Sequence, residues 1–357
     1  MKRFVFFYAF ILSLILVFSI CIMDNLDKEK KEQSQKKDFE NITIYSEKNN
    51  ELNKLIVKEI KEKIRLKNAS TGEIKELSVS EYIKGVLPAE MPPEYDIEAL
   101  KAQAVVARTY LYKKMNSNAH TDADICDNPS HCQAWYSLDR LYDIWKRSKG
   151  YTEEECNKYF AKVSKAVEST ENIAVTYNNK YINAYFHACS GGKTEDVSAI
   201  WGKQNIPYLK SVESKGEEGY KNYTSKVKLT VSSLQTKLNK SSTTKCSINK
   251  DADEIVEILS YTQSGRVNKV KIGGGIYKAE ELRTLLGLRS TNFTVNKEGD
   301  TVIFNVKGNG HGVGMSQVGA DYYAKQGYSF VEIIKHYYTG VDVTKIYVEG
   351  ETQENEI

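Results

Sequence analysis

The sequence carries almost no net charge and contains few prolines. Its 50 basic and 47 acidic residues leave a formal charge of +3 over 357 residues. Because a nucleic-acid partner is indicated by a clear excess of positive charge, the composition gives no reason to expect nucleic-acid binding. Only five prolines are present, and three of them fall within residues 86–95, VLPAEMPPEY. Proline therefore marks one short stretch of the chain.

Three motifs that identify common enzyme classes are also missing. The chain contains no Gly-x-Ser-x-Gly, no His-Glu-x-x-His and no Gly-x-Gly-x-x-Gly. These motifs belong to serine hydrolases with a nucleophile elbow, to zinc peptidases and to dinucleotide-binding proteins. Their absence argues against all three classes.

An apolar run of membrane-spanning length covers residues 4–23, FVFFYAFILSLILVFSICIM. Basic residues precede this run, and no Ala-x-Ala-like cleavage site follows it before Asp24. We therefore predict an uncleaved single-pass anchor at residues 1–23, with the rest of the chain outside the cytoplasm. A cleaved signal peptide is the alternative.

The rest of the chain divides by composition and pattern. Residues 24–54 are rich in Lys, Glu, Gln and Asn, which predicts a polar linker. Residues 55–345 mix helical and strand-like patterns without strict alternation, which predicts an α+β fold. Within this fold, residues 215–306 are predicted to form an inserted smaller α+β subdomain, and residues 346–357 a tail.

Local signals place two helices around the proline-rich stretch. Ser78 and Glu81 have the spacing of a capping box, so a helix begins there, and Pro88 is predicted to end it. Asp96 is predicted to cap a second, longer helix. Glu90 would then lie on a stiff loop between the two helices.

Further signals extend the predicted pattern. The long helix has a buried stripe at helical spacing, and helical patterns return at 138–168. Two strands, NIAVTY and YINAYF, flank Asn178-Asn179, and both asparagines tolerate the positive φ of a tight hairpin. The members of the predicted stripe are Ile97, Leu100, Ala104, Ala107 and Leu111.

The position of Glu90 suits a general acid. Its sequence neighbours include Val86, Leu87, Ala89 and Met91, and an apolar environment favours the neutral carboxyl and raises its pKa. A raised pKa is what a proton donor for glycosidic cleavage needs. The alternative is a helix–helix linker whose glutamate only makes a capping contact.

Candidate metal ligands are concentrated in residues 120–132. His120, Cys126, His131 and Cys132 supply two imidazoles and two thiols, a set that suits tetrahedral zinc. Because all four ligands are nitrogen or sulfur with no evident open position, the site is predicted to be structural. A Cys126–Cys132 disulfide is the alternative, since the extracytoplasmic location permits one.

Two glycine-containing segments offer polar side chains to a ligand. The first, YFHACSGGKTE at 185–195, follows a predicted strand, and the second, GNGHGVGMSQVGA at 308–320, leads into a predicted helix. Glycine lets the backbone approach a ligand closely. A tight turn without a ligand is the alternative for the second segment. Side chains suited to sugar hydroxyl and acetamido groups are His187, Ser190, His311, Ser316 and Gln317.

Four segments in this order, VLPAEMP, ALKAQAVVARTY, YFHACSGG and GHGVGMSQVGA, resemble the stage II sporulation protein D family. The resemblance covers roughly residues 40–345. This family comprises membrane-anchored enzymes that degrade peptidoglycan in endospore formers, and related amidase-enhancer proteins share its domain. The resemblance implies a mixed α+β catalytic domain with a groove for a glycan strand.

The resemblance also implies roles for individual residues. Glu90 corresponds to the catalytic acid of a lytic transglycosylase, which cuts between N-acetylmuramic acid and N-acetylglucosamine and leaves 1,6-anhydro ends. This chemistry needs one carboxylate and no cofactor. The positions implied to bind substrate or to support the loop are Gln103, Arg108, Tyr185, His187, Ser190, Gly191 and Gln317.

The implied partners are peptidoglycan glycan strands, a sporulation amidase and a multi-spanning membrane protein of the engulfment machinery. The main alternative function is a non-catalytic peptidoglycan-binding protein that stimulates a cell-wall amidase. A zinc peptidase is a further alternative. The closed set of nitrogen and sulfur ligands argues against it.

Overall fold

The computed structural model describes residues 42–43, 53–57, 63–115, 117, 120–202, 205–241, 246–252 and 254–348. The anchor predicted at residues 1–23 lies outside the described residues, as does most of the predicted tail. Within the described ranges, no helix combines the length and apolar character needed to cross a membrane.

The chain divides into two compact units. The smaller unit includes the described residues 42–43, 54–57 and 346–348. Strands β1 (Ile42–Thr43) and β2 (Asn53–Val57) pair antiparallel, with Ile42 opposite Val57. The larger unit covers residues 48–53 and 61–345 and holds all the site residues discussed below.

The larger unit has the predicted α+β architecture, with helices and several small sheets. Its helices are α1 (Val79–Glu90), α2 (Ile97–Met115), α3 (Leu138–Lys149), α4 (Glu153–Glu168), α5 (Val197–Trp201), α6 (Val231–Ser241), α7 (Ala279–Leu286), α8 (Gln317–Lys325) and α9 (Phe330–Tyr337). Its strands up to the insertion are β3 (Lys63–Lys67), β4 (Ile74–Ser78), β5 (Ile125–Cys126), β6 (Ile173–Tyr177), β7 (Lys180–Tyr181) and β8 (Phe186–His187). The later strands are β9 (Thr224–Thr230), β10 (Val256–Tyr261), β11 (Val267–Ile272), β12 (Gly275–Lys278), β13 (Asn292–Glu298), β14 (Thr301–Lys307), β15 (Met315–Ser316) and residues 342–345 of β16 (Asp342–Val348).

Helix α2 is the central element of the larger unit. The side chain of Asp96 accepts the N–H of Glu98 at 2.9 Å, so the predicted cap is confirmed. The helix packs against α1, α4, α8, α9 and β6. Of the predicted stripe, Ile97 is half-buried and the other members are fully buried. The opposite faces are buried too, because helices and a strand surround α2.

The predicted hairpin forms, but its second strand is shorter than expected. Asn178 and Asn179 adopt φ values of 49° and 59° between β6 and β7. The predicted strand YINAYF is not continuous, because β7 ends at Tyr181 and β8 begins in another sheet. The N–H of Tyr185 donates to the carbonyl of Asn183 at 2.9 Å, a local turn that breaks the extended backbone.

The insertion has its own hydrophobic core. Two antiparallel sheets, ordered β10-β11-β12 and β13-β14-β9, enclose this core together with α6 and α7. Its helices and strands together give the mixed α+β composition that was predicted for residues 215–306. Strand β13 pairs with β14 across Gly299, whose φ of 57° supports the tight connection. Central members of this core are Leu234, Val270, Leu282, Phe293 and Phe304.

Candidate active site and metal centre

Glu90 is the last residue of helix α1, not a loop residue, and Pro88 does not end the helix. The Met91 N–H still donates to the carbonyl of Leu87 at 2.9 Å. Proline fits a helix because its φ is close to the helical value, and so near the C-terminus it removes only the bond to the Lys84 carbonyl. Helix α1 therefore places the Glu90 carboxylate at its C-terminal end, and the backbone becomes extended at Met91.

The carboxylate of Glu90 is half-buried and has a single described donor. The N–H of Ala134 donates to its Oε1 at 3.0 Å, and no other donor to this carboxylate occurs among the described residues. Burial raises the pKa of Glu90, and the hydrogen bond from Ala134 opposes that shift without cancelling it. The raised pKa that the sequence predicted is confirmed in direction, although the side chain sits on a helix.

The segment that supplies this donor is held against helix α1. The hydroxyl of Tyr82 donates to Gln133 Oε1 at 3.1 Å, and the N–H of Tyr136 donates to the Gly85 carbonyl at 3.3 Å. A Cβ on Gly85 would lie 2.2 Å from Nε1 of Trp135, so only glycine allows this close packing. The segment 133–136 thus presents its N–H to the carboxylate from a fixed position.

The four predicted metal ligands come together directly before this segment. Their ligand atoms all lie within 4.8 Å of one another. His120 Nε2 is 3.3 Å from Cys132 Sγ, and His131 Nδ1 is 3.5 Å from Cys126 Sγ. Both cysteines are free thiols, so the structure does not contain the alternative disulfide. The sequence prediction of a His/Cys cluster able to hold a metal ion is therefore confirmed.

The protonation states of the cluster affect how it would bind a metal ion. Burial, with His131 nearby, lowers the pKa of His120, which keeps this imidazole neutral and able to bind a metal. Burial raises the pKa of the Cys132 thiol to about 11, so a thiolate here requires the charge of a bound cation. Two nitrogen and two sulfur donors at these separations suit a tetrahedral ion.

The two other carboxylates near Glu90 in sequence are occupied. Glu94 accepts hydrogen bonds from Lys149 Nζ at 2.7 Å and from the Tyr151 hydroxyl at 2.5 Å. Burial favours a higher pKa for Glu94, but these hydrogen bonds outweigh it and lower the pKa. Asp96 caps helix α2. Oε1 of Glu94 and the side chain of Asp96 are therefore already engaged in structural contacts.

The two glycine-containing segments meet in the fold. Strands β8 and β15 pair parallel, with Phe186 opposite Met315 and His187 opposite Ser316. An isolated bridge also joins Cys189 to Asn309. The structure therefore brings together the third and fourth of the segments that carry the family resemblance, although more than a hundred residues separate them.

A buried carboxylate that the sequence did not reveal organises this junction. Glu217 is fully buried and accepts the hydroxyls of Ser190 at 2.9 Å and of Ser316 at 2.5 Å. It also accepts the backbone N–H groups of Gly191 at 2.6 Å and Gly192 at 3.0 Å. The donors of Ser190 and Gly191 are thus directed at Glu217, which favours a supporting role for these two positions. Glu217 stands in SKGEEGY, a polar stretch without a recognisable motif.

Arg108 is also directed at the protein interior. It is buried, and its Nη1 donates to the carbonyls of Thr170 at 2.7 Å and Ile173 at 3.2 Å. Its Nη2 donates to the carbonyl of Val167 at 3.3 Å. These contacts favour the loop-supporting alternative over substrate binding.

The remaining implied positions lie in two places. Gln103 and Gln317 are both buried, and Nε2 of Gln317 is 3.5 Å from Oε1 of Gln103. His187 is buried with Nδ1 3.2 Å from the Val313 carbonyl, and burial lowers its pKa well below the usual range. Tyr185 is half-buried. Their roles toward substrate stay predictions.

Family models and similar proteins match the parts of the chain that contain Glu90, the His/Cys cluster and the insertion. Residues 67–177 match the family model of the stage II sporulation protein, and residues 209–314 match a domain of unknown function. The chain is 35% identical over 279 residues to stage II sporulation protein D of Bacillus amyloliquefaciens, covering 77% of each chain. The Bacillus subtilis protein of the same name is 34% identical over 276 residues, covering 76% of each chain.

A more distant relative is the amidase enhancer of Bacillus subtilis, 30% identical over 310 residues, which cover 73% of this chain and 40% of that protein. The first match includes helices α1 and α2, Glu90 and the His/Cys cluster, and the second includes the insertion. The extent of identity shows that this chain belongs to the stage II sporulation protein D family.

Proposed function

We propose that this protein is a lytic transglycosylase that cuts the bond between N-acetylmuramic acid and N-acetylglucosamine in peptidoglycan during engulfment. The observation that carries the proposal is Glu90. Its carboxyl is half-buried, has a raised pKa, accepts one backbone N–H and remains partly open to solvent. A carboxyl in this state holds a proton at higher pH than an exposed glutamate and can act as a general acid.

In the proposed reaction, the Glu90 carboxyl donates its proton to the glycosidic oxygen, and the bond from that oxygen to C1 of N-acetylmuramic acid breaks. The C6 hydroxyl of the same sugar then forms a bond to C1 and loses its proton to the Glu90 carboxylate. The products are a 1,6-anhydro sugar end and a free 4-hydroxyl on N-acetylglucosamine, with Glu90 protonated again.

A single carboxylate suffices because the nucleophile comes from the substrate. Most glycosidases position a second carboxylate to activate water or to attack C1. Here the neighbouring Glu94 is held by Lys149 and Tyr151, and Asp96 is a helix cap. This arrangement supports the transglycosylase over a hydrolase with paired carboxylates.

The test is Glu90→Gln in the purified full-length chain. We expect the variant to release anhydro-muropeptides about 10²–10⁴-fold more slowly than wild type, because the amide cannot donate the required proton. Mass spectrometry of digested glycan strands measures the products. Glu94→Gln is the matched control and should retain most of the rate. Full activity of Glu90→Gln would remove this residue from the mechanism.

A second function is favoured by one relative, whose name describes an amidase enhancer. In that case the protein would bind peptidoglycan and stimulate a cell-wall amidase without cutting the glycan. Purified wild-type protein that binds glycan strands and yields no anhydro ends would support this alternative.

We also propose that the His/Cys cluster holds a structural zinc ion, and that residues 1–23 anchor the protein so that the site faces peptidoglycan. The four donors and the absence of a fifth ligand in the described cluster support the first part. The apolar run in the sequence supports the second.

A further inference from the structure

Three aromatic side chains form a cluster at the surface, which we call the aromatic platform: Tyr185, Trp201 and His311. The ring centroids of Tyr185 and Trp201 are 4.8 Å apart, and those of Trp201 and His311 are 5.3 Å apart. Trp201 keeps 41% of its surface exposed, and the other two rings are half-buried. The two other rings are inclined to the indole by 55° and 53°, so the exposed indole is the one planar apolar face that the cluster offers to solvent.

The backbone and ring contacts hold the platform in place. The carbonyl of Tyr185 accepts the N–H of Met315 at 3.1 Å and the hydroxyl of Tyr338 at 2.6 Å. The N–H of Val313 donates to Nδ1 of His311 at 3.0 Å. Because its supporting residues are fixed before any ligand binds, the platform loses little conformational freedom on binding.

The platform is electrically neutral near neutral pH. Burial, with the positive charges of Arg283 and Arg266 nearby, lowers the pKa of His311 to about 4. An uncharged imidazole beside tyrosine and tryptophan offers stacking contacts, which suit a ligand with an apolar face. A pyranose ring has such a face, formed by its axial C–H groups, and polar groups around its rim.

One residue of helix α2 lies near both the platform and Glu90. Tyr110, on α2, is close enough to interact electrostatically with both Tyr185 and Glu90. Tyr110 is therefore near both a member of the aromatic platform and the proposed acid. A glycan strand bound at Glu90 can extend over Tyr110 toward the platform.

We propose that the aromatic platform is a sugar-binding subsite, where the Trp201 indole stacks on the pyranose ring of an N-acetylglucosamine residue some distance from the bond that is cut. The proposal rests on the proposed function for its substrate class. It adds Trp201, a residue outside the motifs that carry the family resemblance, and it assigns Tyr185 and His311 to supporting the indole from below.

Trp201 allows a direct spectroscopic test, because the chain has only three tryptophans. Trp145 is buried, whereas iodide can reach both the half-buried Trp135 and the exposed Trp201, so the quenching that is present with Trp201 and absent in Trp201→Phe reports the fluorescence of Trp201. A tetramer of N-acetylglucosamine, added to the full-length Glu90→Gln chain to prevent turnover, should protect this fluorescence from quenching. Unchanged quenching at saturating tetramer would overturn the proposal.

Affinity measurements on variants complete the test. Trp201→Ala in the same background should bind the tetramer about tenfold more weakly, a loss of about 1.4 kcal/mol, while Trp201→Phe should lose less. Tyr328→Ala is the matched control, because Tyr328 is also 41% exposed but its ring contacts Tyr323 in a different cluster. Equal affinity of Trp201→Ala and the control would overturn the proposal.

Failure of the sugar-subsite proposal can be distinguished from failure of the proposed enzymatic function. If wild type makes anhydro ends and Trp201→Ala binds normally, the enzyme assignment stands and the platform does not. If wild type makes no anhydro ends and Trp201→Ala still binds weakly, the platform is a glycan site of a non-catalytic protein. Circular dichroism spectra of the Trp201 variants that match wild type exclude misfolding as the cause.

Discussion

The Glu90 carboxyl shows a balance between two physical effects at one atom. Burial disfavours its charge, whereas the N–H of Ala134 favours it, and the observed direction shows that burial is the larger effect. The Glu90 carboxyl must be neutral to act as an acid, and the neutral form is the stable form in the folded protein at any pH below the raised pKa. Stability and proton donation therefore depend on the same ionisation.

This dependence predicts a pH effect on stability. Because the pKa of Glu90 is higher in the folded than in the unfolded chain, its favourable contribution is complete below the unfolded pKa and is lost as pH rises through the folded pKa. The side-chain amide in the Glu90→Gln variant cannot ionise. The melting temperature of this variant should therefore exceed that of wild type at pH values above the folded pKa of Glu90, and should equal it at pH values below the unfolded pKa. Thermal melts across pH 3 to 8 measure the difference.

The control is Glu94→Gln, for which the expected change in melting temperature has the opposite sign. The pKa of Glu94 is lowered, so its contribution is present above the unfolded pKa and is lost as pH falls through the folded pKa. Glu94→Gln should therefore melt below wild type at neutral pH. A Glu90→Gln variant that melts below wild type at neutral pH would contradict the assignment of its raised pKa.

At the scale of elements, the contact between helix α1 and the segment 133–136 determines where the proposed acid meets its donor. Glycine at position 85 is what permits this contact. A Cβ there would meet the Trp135 ring at 2.2 Å and the backbone carbonyl of Tyr136 at 2.7 Å. Displacing the Tyr136 backbone to relieve this clash costs more free energy than displacing the end of a flexible side chain would.

We expect Gly85→Ala to destabilise the protein by about 1–3 kcal/mol, because overpacking outweighs the better helix propensity of alanine. Release of anhydro-muropeptides should fall as well, since the segment is pushed away from Glu90. Chemical denaturation and the product assay measure the two effects.

Gly219→Ala is the matched control, because a Cβ at Gly219 would meet no atom within 4 Å and its φ is not positive. This variant should change the free energy of unfolding little. If Gly85→Ala were as stable and as active as Gly219→Ala, the proposed packing of segment 133–136 on α1 would be wrong.

At the scale of the whole molecule, the His/Cys cluster joins several points of the long connection between helices α2 and α3. The connection from α2 to α3 contains β5, all four ligands and then the segment that contacts Glu90. Because Ala134 follows Cys132 by two positions, a metal ion bound at the cluster would restrict the position of the Glu90 donor.

We expect metal analysis of the purified protein to find one zinc ion per chain. Removing it with a chelator, or substituting Cys126→Ser, should lower the melting temperature and the rate of glycan cleavage together, because structural zinc sites contribute directly to folding. Cys246→Ser, a buried free cysteine in the insertion, is the control and should keep its zinc. Absence of metal, with melting unaffected by chelator, would contradict the site.

Local signals in the sequence were sufficient for features that depend on near neighbours. The Ser78 capping box, the Asp96 cap and the Asn178-Asn179 turn all form as predicted, because each joins atoms a few residues apart. The His/Cys cluster belongs to the same group, since its ligands lie within thirteen positions. Pro88 is the exception, because the helix tolerates one lost bond near its end.

Contacts between distant segments were decided by the tertiary structure alone. Ala134 reaches Glu90 across 44 positions, and Ser316 reaches Glu217 across 99. A backbone N–H carries no side-chain signature, and a glutamate in a polar stretch resembles any solvated carboxylate until it is buried. The sequence therefore identified the proposed acid, whereas only the packing of the chain shows which groups surround that acid and which carboxylate supports the glycine-containing segments.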